Sequence, residues 1–436
     1  MRRYILMTFL LAAFAGAQSS SAQSTDQRWN LYWQATSIGQ YHPGFEALYS
    51  GINSLAPHAE AEASLTSTIY LGLRLSPNTQ FYFDPELAGG RGFSGVTGIA
   101  DAPNGELPRV ASATPKPYIA RLFVTHDFGF GPDRETVEAD ANSLGGTRPM
   151  TRYSVTVGRF TVTDFFDNNR YSHDPRTQFM SWGTMYNGAW DYPADTRGYT
   201  WGWVHEFHTR NWSARYASVG MPREANGLRF DRRILVNRGD VAEGEFRRET
   251  SGHPGTVRAL AYLNHANAGS YREALQMPMP DVTATRRNGT RKFGFGISAD
   301  QEITKDIGVF GRLGWNDGKT ESFCFTAIDR LATAGVSVVG ERWKRPHDTV
   351  ATAVTIAGLS AVHAEYLARG GLDFIIGDGA LTYGKEIVSE TYYSAQVFSG
   401  GFVTLDLQHV TNPAYNKDRG PVWIGSLRLH LEWGKR

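Results

Sequence analysis

The sequence predicts an all-β fold, a transmembrane antiparallel β-barrel, from three observations: alternating side chains, aromatic content and the spacing of connections. Several segments alternate apolar and polar residues with a period of two, which places each set on one face of a strand. About ten such residues suffice for a barrel strand to cross a bilayer. The alternating apolar sets are Ile69, Leu71, Leu73 and Leu75; Trp212, Ala214 and Tyr216; Phe293, Phe295 and Ile297; Val403, Leu405 and Leu407; and Leu427, Leu429, Leu431 and Trp433.

Strand parity also assigns the polar residues to a face. In the final segment, Leu427, Leu429 and Leu431 are predicted to face lipid, so the residues between them face the lumen. A soluble β-sandwich would alternate as well, but its polar face would meet water on the outside. The residues predicted to face the lumen are Arg74, Arg215, Arg428 and Glu432.

Aromatic residues favour the membrane interpretation. The chain contains 11 Trp, 20 Tyr and 24 Phe. Many lie at the ends of alternating segments, as in the aromatic girdles of outer-membrane barrels. After the first 22 residues there is no run of about 18 apolar residues, so no transmembrane helix is predicted.

The connections between the alternating segments are of two kinds. Ser76 to Asn78 and Asn316 to Gly318 have the composition of short turns. Other stretches are long and rich in Gly, Pro, Arg and Asp. Short periplasmic turns at one rim and long extracellular loops at the other are typical of outer-membrane barrels. By length alone, 14, 16 or 18 strands fit almost equally well. The predicted long connections are 84–117, 131–150, 222–256 and 271–291.

The first residues predict a secretory signal peptide. Two arginines precede an apolar run, and small residues then offer cleavage after Ala17 or Ala22. We expect residues 1–22 to be removed and residues 23–436 to form a single barrel domain, because no linker divides them. The two arginines leave with the signal, so the formal charge changes from +1 to −1. This balance gives no support for a nucleic-acid partner.

No catalytic, metal or cofactor site is predicted. The segment 205–208, with a His at each end, lacks the i, i+4 spacing of two zinc ligands on a helix, and it alternates as a strand. Asp164 and Asp167 are paired acids, but neighbouring arginines favour their ionised form, whereas a general acid needs a raised pKa. Cys324 is the single cysteine, and we expect a small buried or lipid-facing side chain.

The segment 158–202 is the most distinctive in the chain, because it is crowded with Asp, Asn, Arg and aromatic residues. Arg and Asp present hydrogen-bonding groups of both signs. Trp182, Trp190 and Tyr192 offer flat apolar faces with a polar atom. Such chemistry suits hydroxylated, uncharged solutes such as sugars. An ordered surface loop with structural ion pairs is the alternative interpretation.

This segment also carries a family resemblance. DFFDNNRYSHDPRTQF at 164–179, followed by AWDYPADTRGYTWG at 189–202, resembles the signature of carbohydrate-selective outer-membrane porins of the OprB type. The resemblance implies sixteen strands, loops folded inward to form a constriction, no cofactor, and passive diffusion of small carbohydrates. It implies the outer membrane of a Gram-negative-type bacterium and leaves a monomer or a homotrimer open. Further segments that resemble the family pattern are 34–55, 84–106, 370–386 and 412–422.

The segment 158–202 supplies the predicted solute pathway. Counting along the strand from Val155 and Val157 places Arg159 on the outward face, so a bulge or a strand end is expected before it. A general, unselective porin and an outer-membrane barrel enzyme are the alternative functions. The residues predicted to line the constriction are Arg159, Asp167, Arg170, Arg176, Trp190, Asp191 and Arg197.

Overall fold

The structure, a computed structural model, describes residues 26–107 and 112–434. Within them, sixteen antiparallel strands close into one barrel, in which each strand pairs with its neighbours in the chain and the first pairs with the last. The predicted barrel of sixteen strands is thereby confirmed. The predicted signal peptide, residues 1–22, lies outside the described residues.

The barrel strands differ in length, and short helical turns lie between them. The strands are β1 Trp29–His42, β2 Glu60–Ser76, β3 Thr79–Gly90, β4 Lys116–Val137, β5 Gly146–Phe160, β6 Thr200–His208, β7 Trp212–Gly220, β8 Arg238–Thr250, β9 His253–Ala268, β10 Arg287–Thr304, β11 Ile307–Asn316, β12 Arg330–Gly340, β13 Arg345–Gly358, β14 Glu386–Phe398, β15 Gly401–Thr411 and β16 Val422–Gly434. The α-helices are α1 Trp182–Met185, α2 Tyr271–Ala274 and α3 Ala361–Ala368. The 3₁₀ turns are Phe93–Gly95, Val162–Asp164, Thr283–Thr285, Glu341–Trp343 and Pro413–Tyr415. In the described part of the chain, no helix is long and apolar enough to cross a membrane.

The period of two separates the outer wall from the lumen. On β16, Leu427, Leu429 and Leu431 are 36–48% exposed on the outer wall, whereas Arg428 and His430 between them are buried. The alternating apolar sets on β2, β7, β10 and β15 lie on the outer wall in the same way. An apolar band around the outside is the surface that a bilayer covers.

The two rims of the barrel differ in the length of their connections. Six hairpin turns of two to four residues and one of eight, 138–145, form one end, which we call the short-turn rim. Eight connections of ten to 39 residues form the other end, the long-loop rim, and the longest is 161–199. The predicted connections 84–117 and 271–291 overlap two of these loops but include residues of the adjoining strands. The predicted connection 222–256 is wrong as a single loop, because it contains the whole of β8 and the turn to β9.

Asn316 to Gly318 is not the short turn that its composition predicts. β11 ends at Asn316, and the next residues begin the long connection 317–329. The Asn316 side chain donates to the carbonyls of Ile328 (2.9 Å) and Ala189 (3.0 Å), so it holds loop backbone inside the barrel. The residue types indicate a bend here but not the length of the connection.

The predicted long connection 131–150 is mostly strand. β4 and β5 continue into it and leave only the turn 138–145, which lies at the short-turn rim. The register of this hairpin shifts between Phe130 and Arg134, and Pro132 lies in the resulting bulge. Proline is tolerated there because a bulged residue is not needed as a donor in the ladder.

The long loops fold into the barrel, and buried carboxylates hold their backbone. Glu386 on β14 accepts a hydrogen bond from the Ala100 N–H (3.0 Å). Glu390, on the same strand, accepts from the Ser181 N–H (3.1 Å) of the 161–199 loop. Because an unpaired backbone N–H is costly when buried, such contacts fix the loops across the lumen.

Candidate functional site

Arg176 is held between the barrel wall and two inward loops. It belongs to the 161–199 loop, and its Nε donates to Glu106 Oε2 (2.9 Å) on the 91–115 loop. Its Nη2 donates to Glu86 Oε2 (2.9 Å) on β3. Charge-assisted bonds from a planar guanidinium to two carboxylates fix its position closely.

Hydroxyl groups complete the surroundings of this ion pair. Arg176 Nη1 donates to Thr68 Oγ1 (3.0 Å). Glu86 accepts hydrogen bonds from the hydroxyls of Thr68, Tyr118 and Tyr199, the last at 3.2 Å. Since the protein occupies both oxygens of Glu86, this carboxylate anchors Arg176 and leaves little capacity for a solute.

Two polar groups beside this cluster keep open hydrogen-bonding capacity. The guanidinium carbon of Arg197 lies 4.2 Å from the Tyr118 ring centroid, and no ion pair reaches Arg197 from the described residues. Glu106 Oε2 accepts hydrogen bonds from Arg176 and from the Thr66 hydroxyl (2.6 Å). Its other oxygen, Oε1, receives no hydrogen bond from any residue that the structure describes. Arg197 therefore offers donors and Glu106 offers an acceptor.

Trp182 supplies an aromatic surface close to these groups. Its ring stacks on Phe325, with centroids 4.6 Å and planes 10° apart, and its centroid lies 6.4 Å from that of Tyr192. The backbone N–H of Trp182 donates to the Ala102 carbonyl (3.1 Å) of the 91–115 loop. This backbone bond joins the two loops, and the stack on Phe325 holds the indole where they meet.

Three adjoining cavities run from one rim to the other. The first, of about 390 Å³, reaches Ser112 and Leu228 among the long loops. The second has a volume of about 400 Å³. The third, of about 360 Å³, reaches Lys305 and Asp306 at the short-turn rim. The first and second share Gly105, Glu106, Arg176, Trp182, Arg197 and Tyr199, which we call the constriction residues. The second and third share Arg176, Thr177, His430 and Glu432.

Arg159 lies near the end of β5, and the ladder runs through it without a register shift. It is paired with Leu122 on β4 and with Trp201 on β6, which is 48% exposed on the outer wall, and directly opposed residues share a face. The outward position given by counting therefore holds, and the expected bulge or strand end before Arg159 is wrong. Arg159 is nevertheless buried, because its Nη2 donates to Asp195 Oδ2 (2.6 Å) and its Nε donates to the Ile119 carbonyl (2.8 Å), which ties the loop to the wall.

Asp167 and Asp191 also bind groups of the protein. Asp167 Oδ1 accepts from Arg312 Nε (3.0 Å) on β11. Asp191 lies 3.0 Å from Lys292 Nζ and accepts from the N–H of the buried Cys324 (2.7 Å). Neither aspartate is more than 5% exposed. The structure places both as anchors of the 161–199 loop rather than on an open surface.

Trp190 does not present an open ring face. It is 2% exposed, and its ring centroid lies 6.1 Å from that of Phe166 and 5.3 Å from that of Tyr192. Its placement differs from the expected contact with solute because the 161–199 loop packs this side chain against its own residues Phe166 and Tyr192. Trp182 is the tryptophan of the loop that lines the first and second cavities.

Arg170 and the parity-assigned Glu432 lie toward the short-turn rim, and the parity-assigned Arg428 lies at the middle of β16. Arg170 is half exposed in the third cavity and is 3.1 Å from Glu302. Glu432 lines the second and third cavities. Arg428 is fully buried inside the barrel, where it donates to the Pro175 carbonyl (2.8 Å) and so ties the loop to β16.

The other two parity-assigned residues are engaged by the protein. Arg215 lies on the inner wall within 3.0 Å of Glu206 and of Glu243, and this network holds neighbouring strands together. Arg74 lies at the short-turn rim, where its Nη2 donates to the Gly145 carbonyl (3.1 Å). Neither belongs to the constriction residues.

Sequence reasoning did not select Glu86, Glu106, Tyr118 or Tyr199 as site residues. Glu86 and Glu106 lie in the family-like segment 84–106, and Glu86 is an acid at an inward position of a strand. An ionisable residue at such a position was an available signal, because it must find a partner inside the barrel. The partner itself, Arg176, is 90 residues away from Glu86 in the chain.

Comparisons with known proteins agree with this architecture. The family model of carbohydrate-selective porins, OprB family, matches residues 53–433. The high-pH structure of Pseudomonas putida OprB is similar, with a TM-score of 0.67 and 14% identity over 94% of each chain. Acinetobacter baumannii OccAB1 is similar with a TM-score of 0.51 and 10% identity, over 96% of this chain and all of that one (100%). At these identities the solved structures support the fold alone. No curated protein matches the chain.

The family match extends from within the first long loop to the last strand, and it includes both loops that form the constriction. The fold is that of a channel with an apolar outer wall, as in porins of the Gram-negative outer membrane. The chain therefore belongs to the OprB family of carbohydrate-selective porins.

Proposed function

We propose that this chain admits small, uncharged carbohydrates by passive diffusion and selects them at the constriction residues. The observation that carries this proposal is the presence of open donors on Arg197 and an open acceptor on Glu106 in the same two cavities. A sugar hydroxyl both donates and accepts, so adjacent hydroxyls can bond to both groups. These bonds replace part of the water that the sugar loses on entry.

The charges at the constriction favour a neutral solute. In the lining of the first cavity, Glu86 and Glu106 carry two negative charges, and Lys116, Arg176 and Arg197 carry three positive charges. An ion of either sign meets both attraction and repulsion over a short distance, so its net electrostatic interaction with the lining is weak. A neutral polyol uses donors and acceptors of both kinds without needing a counter-ion.

Aromatic side chains complement these polar groups. Trp182 and Tyr199 line both the first and the second cavity. The apolar face of a sugar ring can pack on such rings, and each contact contributes about 1 kcal/mol. Contacts of this strength orient a solute without retaining it, which is the condition for passage through a selective channel.

Liposome swelling tests this proposal. Vesicles that contain the protein should swell several-fold faster in a hexose than in a charged amino acid of similar size. In a barrel that carries Glu106→Ala and Arg197→Ala together, this preference should fall toward that expected from size alone. Equal swelling rates with the parent protein would instead identify a general, unselective porin.

A further inference from the structure

A row of basic side chains lies on the outer wall, near the long-loop rim. Arg238 on β8 is paired across the sheet with His265 on β9, which is paired in turn with Arg291 on β10. Directly opposed residues share a face, with Cβ atoms about 4.5–5.5 Å apart. That face is the outer one, because Leu263 and Phe293, two residues along on β9 and β10, are exposed by 36% and 46%. We call these three residues the basic row.

The basic row lies at the edge of the apolar band. On the side away from the loops, Phe295 follows Phe293 along the outer face of β10 and is 53% exposed. On the loop side, Arg238 Nη1 donates to the Leu235 carbonyl (3.2 Å). Ile234, Leu235 and Val236 are exposed by 50%, 87% and 42%. Cationic groups therefore stand between apolar wall and apolar loop residues, at the level where a bilayer changes from acyl chains to headgroups.

The positive charge of the basic row is incompletely paired within the protein. Arg238 Nε donates to Asp240 Oδ2 (2.9 Å), and Asp240 also accepts from the Tyr216 hydroxyl (2.9 Å). Arg291 is exposed, and across residues 26–107 and 112–434 neither an ion pair nor a side-chain hydrogen bond engages it. Arg238 and Arg291 flank His265 on the two strands beside β9, about 10 Å apart at the backbone, so their like charges repel. An anion between Arg238 and Arg291 would remove that repulsion.

Other outward positions near the long-loop rim are aromatic. Tyr41 on β1, Trp201 on β6 and Trp423 on β16 are 51%, 48% and 51% exposed. Aromatic rings at this level are typical of a girdle at the bilayer surface. The basic row replaces such rings over β8 to β10, so one side of the barrel presents charge to the leaflet that borders the long loops.

We propose that the basic row binds the phosphate group of a phosphorylated lipid in that leaflet. Arg291 and Arg238 would donate to the phosphate oxygens, since guanidinium groups pair well with phosphate. The acyl chains would lie on Leu263, Phe293 and Phe295. This proposal rests on the membrane orientation of the barrel and not on the sugar pathway, so either can fail without the other.

Native mass spectrometry of the detergent-solubilised protein with bisphosphorylated lipid A tests this proposal. Loss of one surface cation is worth about 1 kcal/mol, so Arg291→Gln should weaken lipid binding about fivefold. Arg291→Lys, which retains the charge, should bind close to the parent. Arg248→Gln is the matched control, because Arg248 is an exposed cation on the same strand as Arg238, toward the short-turn rim.

Three results would overturn the proposal: parent-like binding by Arg291→Gln, equal weakening by Arg248→Gln, or equal binding of lipid A from which both phosphates have been removed. Loss of binding in both Arg291→Gln and Arg291→Lys would likewise contradict a charge-based site. Retention of the compact band on unheated gels verifies that each variant is folded. Sugar-dependent block of ion current should be unchanged in all of them.

Discussion

Carboxylates inside this barrel have two roles, which their hydrogen-bond partners separate. Asp167 and Asp191 each accept from a basic side chain of the wall and are nearly inaccessible. Glu106 uses one oxygen for Arg176 and keeps the other open toward the cavities. Removing either aspartate leaves a buried cation without its carboxylate, which costs stability. Removing Glu106 changes what a solute meets.

The two tryptophans of the inward loop should respond differently to truncation. Trp190 is 2% exposed, so Trp190→Ala should lower the free energy of unfolding by about 3–5 kcal/mol with little change in sugar affinity. Trp182 is also buried, at 7% exposed, and stacks on Phe325, so Trp182→Ala should lower the free energy of unfolding as well. Because Trp182 lines the cavities, Trp182→Ala should in addition weaken sugar binding about fivefold, which corresponds to about 1 kcal/mol. Urea unfolding and sugar-dependent block of ion current measure the two effects. A larger loss of block in Trp190→Ala would reverse these assignments.

At the scale of the strand, β16 gives a direct test of the wall. Leu429 is 48% exposed on the outer wall, between the buried Arg428 and His430. Leu429→Arg should destabilise the protein by about 2–4 kcal/mol, because the side chain meets lipid near the middle of the bilayer. Leu429→Phe, which stays apolar, is the control. Folding of the arginine variant into lipid vesicles as efficiently as the parent would contradict the assigned face.

Three long loops meet at His363, on α3 in the connection between β13 and β14. His363 Nδ1 lies 3.0 Å from Asp329 Oδ2, and its Nε2 lies 3.2 Å from Asp373 Oδ2. Tyr271 stacks on the imidazole, with centroids 4.2 Å apart. Burial opposes the charged form, but Asp329 and Asp373 outweigh it and raise the pKa of His363 from 6.5 to about 9. The protonated imidazole therefore links the loops.

This cluster predicts a pH dependence of loop docking. Because the pKa of His363 is raised in the folded state, the protonated imidazole stabilises the docked loops fully below about pH 6.5. This stabilisation is lost as pH rises through about 9, and it amounts to a free energy of about 3 kcal/mol. Hydrogen exchange, corrected for intrinsic rates, should show the 359–385 loop losing protection between pH 7 and pH 10.5. In His363→Gln the protection should be lower at pH 7 and should change little with pH. Equal protection of the parent loop at both pH values would contradict a charged His363.

At the scale of the whole molecule, the barrel could be predicted from sequence because strand parity is a local signal. The apolar sets of five alternating segments lie on the outer wall, as the period of two predicts. Local composition was less informative about the connections. Pro132 lies in a bulge inside a hairpin and not in a long loop, and Asn316 is followed by a long loop and not by a short turn. Arg159 keeps the outward register that counting gives it, but its contact with Asp195, 36 residues along the chain, is not visible in the residue pattern.

The constriction was harder to predict than the barrel because its members come from distant parts of the chain. Arg176 and Arg197 were selected from the 161–199 loop, yet their partners lie on β3, β4 and the 91–115 loop. Trp190 and Trp182 have the same chemistry in sequence, and only the path of the loop decides which one borders a cavity. Tertiary placement of long loops therefore limits what a single sequence shows.

Sugar-dependent block of ion current across a planar bilayer measures whether sugars contact the constriction residues. Glu106→Gln and Arg197→Gln each remove one open group of the constriction, while Glu86 still holds Arg176 in place (2.9 Å). Hydrogen bonds to charged groups contribute about 1.5–3 kcal/mol, so each variant should raise the half-blocking sugar concentration about tenfold or more. Arg229→Gln, at an exposed position of the 221–237 loop, should match the parent. If both constriction variants keep the parent's half-blocking concentration, sugars pass without contacting these residues and the proposed selection site is wrong.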